Sequence, residues 1–403
     1  MPMMTTEVDP VAVPPEGPGF ARALPAILLL TSVFFVNFTS RVLLGPLLPA
    51  MEHDLGISHA VIGLFLFMYG LGGFLSQMGA SFVIAALDYR RTIIFAFLGQ
   101  AGAMAGLGLC EPVWIVGLLL MGVSLLGCLY IPAGIALITH LAAPRQWGKA
   151  MGIHEMAPNL GLIVAPFLAT AFLAFGGWRG AYLIAGTALG LTGLFYLRWG
   201  PGRGIRTSRP KLAVIKEIVS KRAFWAVVFL ISLGVAVETG VYSLLPLYLV
   251  EERGWELAAA NYLVGASRIP SILVVLLAGW ISDRLGVSLA LAMALGLSGA
   301  SVLVLALGPD SLLIPAVFIQ AAAAACVFPP ALTAVSALST PENRSLTISM
   351  SLALAPALGA GALPAGIALL AEWASFSLGL ALTGVLLIAG LSFLPSLKFA
   401  PPE

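Results

Sequence analysis

Over almost its whole length the chain repeats one pattern, an apolar run of roughly 20 residues followed by a short polar break. A helix of that length crosses the ~30 Å hydrocarbon core of a bilayer. Lipid offers the backbone no hydrogen-bond partners, so each run is read as a helix. The runs lie at 24–50, 60–86, 92–110, 113–139, 150–175, 181–197, 223–250, 258–281, 287–307, 312–338, 346–370 and 374–395, twelve in all. Hydrophobic residues make up 60% of the chain and charged ones 9%, where a soluble domain carries about a quarter charged residues. A soluble or disordered chain is thereby excluded, and an all-α membrane protein held in the lipid bilayer is expected.

Several function classes fall away with it. A net charge of +2 supplies no basic face for nucleic acid. Cys110, Cys128 and Cys326 are an odd number without a C-x-x-C pair, which speaks against a disulfide framework or a zinc site. Histidine occurs four times, at His53, His59, His140 and His154, and neither a phosphate-binding loop nor a G-x-S-x-G elbow is found. No enzyme, cofactor or metal centre is expected.

One long polar interruption, 198–222, splits the twelve runs into six and six. The expected organisation is a cytoplasmic disordered tail at 1–22, a first six-helix bundle at 23–197, a basic cytoplasmic linker at 198–222, a second bundle at 223–396 and a tail at 397–403. Basic residues set the orientation. With the N-terminus inside, sixteen of the twenty Lys and Arg fall in cytoplasmic segments and only Arg179 and Arg253 in outer loops. The remaining two, Arg41 and Arg268, lie within spans. Both termini are expected in the cytoplasm, with the protein a monomer in the plasma (inner) membrane.

The two sixes are also related in sequence. Pro49, Pro132 and Pro144 recur as Pro246, Pro329 and Pro341, each 197 residues on. Ala157-Pro158-Asn159-Leu160-Gly161 with Pro166 recurs as Ala355-Pro356-Ala357-Leu358-Gly359 with Pro364, offset by 198. An ordered set of this kind reads as a parallel duplication, whose halves pack about an axis along the membrane normal with a site between them at the midplane.

With twelve spans and the repeat in place, further pieces carry a resemblance. Gly279, Asp283, Arg284 and Gly286 match the front of G-x-x-x-D-R-x-G-R-R between spans 8 and 9, and Arg90 and Arg91 keep the rear of the copy between spans 2 and 3, where Ala86 stands for the aspartate. Pro144–Ala150 before span 5 and Gly177-Trp178-Arg179 before span 6 are similar to pieces of the same family. The chain resembles the major facilitator superfamily along nearly its whole ordered length. The resemblance implies two pseudo-symmetric six-helix bundles (the major facilitator fold) and alternating-access transport. It also implies a gating role for Asp283 and Arg284, and the same is expected of Arg90 and Arg91; simple topology-setting charge is the other reading of all four.

Ionisable residues deep in a span cost roughly 2.5–3.5 kcal/mol each on insertion scales and mark a pathway or a pair. Arg41, Glu238 and Arg268 are of this kind. Arg41 falls on Glu238 at the 197 offset, so the two are expected at equivalent depths. Two arginines against one glutamate leave a positive charge over, and a guanidinium fork matches carboxylate or phosphate. Arg41 and Arg268 are therefore expected to bind an anionic substrate and Glu238 to couple it to a proton; a buried Arg–Glu pair that only fixes packing is the competing reading. Asn37 shares a face with Arg41, Tyr242 with Glu238 and Asn261 with Arg268. These three, with Tyr130 and Gln320, are the candidates for the rest of the substrate site; an ordinary interhelical hydrogen bond is the competing reading of Asn37, Tyr242 and Asn261. His154-Glu155 opens span 5 as a proton relay or, alternatively, a gate contact.

The run Asn37-Phe38-Thr39-Ser40-Arg41 resembles the N-Y-x-D-R signature of the anion–cation symporter branch, with Ser40 in place of the aspartate. An arginine in span 8, like Arg268, resembles monocarboxylate and oxalate carriers instead. The proton/drug antiporter motif of span 5 survives only as Gly161 and Pro166, and Leu120 stands where many relatives have a span-4 arginine. The expected function is proton-coupled transport of a small organic anion, foremost a monocarboxylate. Efflux of drugs or hydrophobic compounds by proton antiport, and exchange of organophosphates or inorganic anions, are the alternatives.

Overall fold

The computed structural model describes residues 20–207, 212–337 and 344–396. The side chains of Asp283, Arg344 and a few other helical residues lie outside that description, as do Arg209, Lys211, Lys398 and most of the two tails. Among the described residues twelve helices are long and apolar enough to cross a membrane, and there is no strand. They are α1 (Phe20–Leu55), α2 (His59–Leu87), α3 (Tyr89–Leu109), α4 (Val113–Leu141), α5 (Pro144–Leu173) and α6 (Gly177–Trp199) in the first half. The second half holds α7 (Phe224–Glu251), α8 (Leu257–Val275), α9 (Val287–Leu307), α10 (Asp310–Val335), α11 (Met350–Trp373) and α12 (Phe376–Leu394). Helix continues beyond Val275 to Leu285, and α11 is preceded by helix from Arg344.

Within the first bundle α1 packs on α5, α2 on α4, and α3 on α6; within the second, α7 packs on α11 and α9 on α12. Between the bundles α1 meets α7, α2 meets α11 and α5 meets α8. Small residues make these crossings close, as membrane helices require when water contributes no driving force between them. A Cβ on Gly45 would stand 2.7 Å from Ser243 Cα, and one on Gly63 2.9 Å from the Ala365 carbonyl oxygen. Ala60 N–H donates to Glu372 Oε2 across the same end at 3.2 Å. The Gly45, Gly63 and Ala60 contacts lie at the end remote from the 198–222 linker, whereas the α2–α11 contact continues through the middle of the spans, where Gly70 meets Gly361. Toward the linker end α5 leaves its partner, and Trp147, Met156 and Leu160 are exposed. The two bundles are thus closed at the remote end and parted at the linker end.

Six of the spans are not regular helices through their middles. α1 turns at Leu43, α4 at Cys128–Leu129, α8 at Arg268–Pro270 and α10 at Cys326–Val327. α7 and α11 widen into π-turns at Ala236–Gly240 and Ala357–Ala362. The cause is visible in sequence: a proline ring clashes with the carbonyl four residues earlier; Pro46, Pro132, Pro329 and Pro364 each stand two or three residues after a break, and Pro270 closes the break in α8. The breaks of α1 and α7, and those of α4 and α10, fall at duplicated positions, with Cys128 and Cys326 198 residues apart, whereas α2 and α5 run unbroken where α8 and α11 do not.

At the linker end Asp88 has φ +81° and Gly286 φ +85°, at duplicated positions before α3 and α9. The side chain of Asp88 caps α3 by accepting from Arg91 N–H at 2.8 Å and also accepts from Gly204 N–H at 3.2 Å. Tyr89 N–H donates to the Ile205 carbonyl, and Arg90 Nη2 to the Leu197 carbonyl. The start of the linker is thereby pinned to the α2–α3 loop.

Candidate functional site

In α7 the π-turn takes carbonyls out of the regular ladder, and two side chains from neighbouring helices claim them. Gln320 Nε2 donates to the Val237 carbonyl at 2.8 Å, and Arg268 Nη2 to the Glu238 carbonyl at 2.9 Å. Arg268 Nη1 stands 2.9 Å from Glu238 Oε1 but off the line of its N–H bond, so this second contact is Coulombic. Glu238 Oε2 has no partner among the described residues. Tyr242 lies with its ring 5.1 Å under the guanidinium carbon and its hydroxyl donating to the Leu162 carbonyl of α5 at 3.1 Å. Glu238, Arg268, Tyr242 and Gln320 therefore stand together, and Arg268 is 3% exposed. The break at Arg268–Pro270 presents the arginine at the end of a helical segment.

Arg41 in α1 is different. Its Nε and Nη1 are buried without a hydrogen-bond partner, and no described carboxylate is within ion-pair distance of it. Phe38 lies 5.6 Å from its guanidinium carbon, with Tyr69 and Cys128 beside it. Tyr69 donates to the Arg41 carbonyl at 3.1 Å. Asn37 Nδ2 donates to Gln100 Oε1 at 2.7 Å and to the Gly127 carbonyl at 3.3 Å, which leaves Asn37 Oδ1 and Gln100 Nε2 open. Room for the group comes from Gly127, where a Cβ would lie 2.6 Å from Gln100 Oε1 and 2.7 Å from Arg41 Cδ.

The two clusters are copies of one plan. In each half the charged residue of the first helix (Arg41, Glu238) gives its own carbonyl to a side chain of the second helix (Tyr69, Arg268). In each, the cysteine at the break of the fourth helix lies beside that charge, Cys128 by Arg41 and Cys326 by Glu238. Gln100, Tyr69, Gly127 and the cysteine pair were not singled out from sequence. Gln100 is neutral in an apolar run, and only the 198-residue offset marked the cysteines.

Other expected residues fall elsewhere. Asn261 joins neither cluster; it donates to the Pro46 carbonyl at 3.3 Å and to Thr170 Oγ1 at 3.2 Å, tying the bundles at the closed end. Tyr130 and His154 lie inside the first bundle, Tyr130 donating to the Leu30 carbonyl at 2.7 Å and standing 3.1 Å from His154 Nε2. Glu155 follows at 3.4 Å from His154 Nδ1. Arg90 and Arg91 serve the α2–α3 loop, and Arg284 is exposed at the same end.

Comparison with known proteins agrees with this architecture. The family model of the Major Facilitator Superfamily matches residues 30–286, and the chain belongs to that family: it is an integral, multi-pass membrane transporter. A probable sulfoacetate transporter, SauU, of Cupriavidus necator is 23% identical over 63% of this chain and 63% of its own length. A probable actinorhodin transporter of Streptomyces coelicolor is 27% identical over 63% of the chain and 44% of its own length. An uncharacterized MFS-type transporter of Mycobacterium tuberculosis is 26% identical over 68% of the chain, and the alignment spans 61% of that relative. Among solved structures, a bacterial homolog of the human lysosomal transporter Spinster, inward-facing and unoccupied, superposes with a TM-score of 0.77 at 17% identity, covering 94% of this chain and 99% of that one. A POT family transporter in complex with 5-aminolevulinic acid gives 0.77 at 14% identity over 94% and 97%. At these identities the likeness is one of fold.

Proposed function

We propose that this transporter carries a small organic anion, foremost a monocarboxylate, in symport with a proton, and that Arg41 is its principal anchor. The observation that carries the reading is the buried guanidinium of Arg41 with two donors unpartnered and no carboxylate beside it. An arginine in that state is stabilised by an incoming anion through paired, charge-assisted hydrogen bonds. Gln100 Nε2 and Asn37 Oδ1 beside it supply a donor and an acceptor for the rest of the substrate.

Glu238 supplies the coupling in this proposal. While ionised it holds Arg268, and the whole site carries one surplus positive charge. On protonation it releases Arg268, and the site then attracts a second negative charge or grips the first from both bundles. Anion and proton thus favour each other's binding, which is the reciprocity symport needs. Alternating access follows by rocking of the bundles, with the linker end cytoplasmic as the basic residues indicate. SauU, named for a small organic anion, is in keeping with this reading.

A second reading, efflux of hydrophobic compounds by proton antiport, is favoured by the relative named for actinorhodin. The two separate in one experiment: thermal-shift assays of the purified protein with carboxylates, organophosphates, inorganic anions and dyes, repeated with Arg41→Ala and Arg268→Ala. A carboxylate shift that disappears in both variants is expected, since a charge-assisted hydrogen bond is worth about 1.5–3 kcal/mol, or roughly ten- to hundredfold in affinity. A dye response indifferent to both substitutions overturns the anion reading. In proteoliposomes Glu238→Gln is expected to abolish uptake driven by a pH gradient while leaving anion exchange; unchanged pH-driven uptake would remove Glu238 from the mechanism.

A further inference from the structure

We propose that Tyr130, His154 and Glu155 form a proton-binding site inside the first bundle, separate from Glu238. The argument is one of proton counting. A tyrosine hydroxyl has one proton, and that of Tyr130 is given to the Leu30 carbonyl at 2.7 Å. His154 Nε2, 3.1 Å from the same oxygen, must therefore be the donor of that contact. A neutral imidazole that carries its proton on Nε2 turns a lone pair outward from Nδ1. Nδ1 faces Glu155 Oε1 at 3.4 Å. Lone pair against carboxylate is repulsive, so the pair is arranged to take up a second proton between them, on the ring or on the carboxyl. Protonation breaks the O–H bond of a donor in the cleft and forms N–H or O–H within this pair; deprotonation reverses it.

The surroundings leave one route for that proton. His154 is 0% exposed and sandwiched against Phe34 at 4.6 Å, with the rings 9° from parallel. The side chain of Glu155 is 55% exposed. Leu162, two turns further along the same stripe of α5, gives its carbonyl to Tyr242 of the second bundle. Glu155 thus faces the other bundle at the level where the two have parted, and connects the buried ring to the cleft. The other groups facing the site are Phe34 from α1, Phe97 from α3 against Tyr130, and Tyr196 of α6 beyond it. Among the described residues no basic side chain pairs with Glu155. The site as a proton store stands on geometry alone; its part in the transport cycle rests on the reading of Glu238 and Arg41 above.

The test uses the full-length protein in nanodiscs without any anion, so its outcome is independent of the substrate reading. With four histidines, nitrogen-15 spectra of histidine-labelled protein are assignable by comparison with His154→Gln. The wild-type ring is expected to keep Nε2 protonated throughout, with Nδ1 gaining and losing the proton. Tyr130→Phe, which keeps the ring stack, is expected to move the neutral-state proton to Nδ1. Proton uptake on acidification from pH 8 to pH 6, read with an indicator dye, is expected to fall by about one per molecule in His154→Gln and equally in Glu155→Gln, whose amide donates to Nδ1. A bare Nε2 in the wild type, a spectrum unmoved by Tyr130→Phe, or undiminished uptake in Glu155→Gln each overturns the site.

Discussion

At the scale of single residues, the chain spends its few intramembrane charges in two ways. Arg268 and Glu238 answer each other at 2.9 Å, whereas Arg41, itself partly buried, keeps two buried donors open. Burying a charge without a partner is costly, so the second arrangement persists only where neighbours hold it. Gly127 is the residue that makes it possible sterically. Gly127→Ala is expected to displace both Arg41 and Gln100, reproducing the loss of carboxylate response of Arg41→Ala while the charge remains; a wild-type response measured by thermal shift would show that Arg41 is not seated there in the working protein. The charged residues could be found from sequence because each interrupts an apolar run. Gln100, Tyr69 and Gly127 could not, because nothing in a neutral or glycine residue of a membrane helix says which neighbour it meets.

At the scale of elements, proline spacing and close glycine contacts decide where helices bend. α5 and α11 share a duplicated proline motif, yet α5 stays α-helical through Pro158 and Pro166 while α11 widens over Ala357–Ala362. The difference lies in packing: a Cβ on Gly359 would stand 2.7 Å from Ala236 N, so the two π-turns of α7 and α11 are fitted to each other. The junction before α3 shows another local solution. Asp88 adopts a backbone conformation its duplicate leaves to Gly286, a strain of about 1–3 kcal/mol, offset by its cap on α3 and its hold on Gly204. Asp88→Ala keeps the strain and loses both contacts, and is expected to destabilise the protein by about 1–2 kcal/mol or more. Asp88→Gly loses the same contacts but relieves the strain, and is expected to be milder; thermal unfolding in detergent orders the two, and the reverse order would refute this account of the turn.

At the scale of the whole molecule, the bundles meet at the remote end and part at the linker end, so the described state exposes the cleft to one side only. Cys110 reports which side that is. It lies between α3 and α4 at the closed end, whereas Cys128 and Cys326 sit at helix breaks within the bundles. Burial pushes the Cys110 thiol above its ordinary value, opposed by the nearby Arg179. Labelling by a membrane-impermeant maleimide is therefore expected to be slow at pH 7 and to quicken toward pH 9 as thiolate forms. With the linker end cytoplasmic, intact cells are expected to label at Cys110 and inverted vesicles to be protected; the opposite pattern would reverse the orientation.

Sequence by itself determined the twelve spans, their division into two related sixes and the presence of charges that lipid cannot host, because hydrocarbon thickness and desolvation act on composition and spacing alone. It left open whether Arg41 or Arg268 is the one paired with Glu238, since two residues 30 positions apart and two 197 apart compete for a contact only a fold can award. Tertiary structure decided that, along with the neighbours of His154 and the end at which the bundles close. Each of those depends on how helices distant in the chain are rotated against one another, a matter of side-chain shape at crossings that no periodicity within a single helix records.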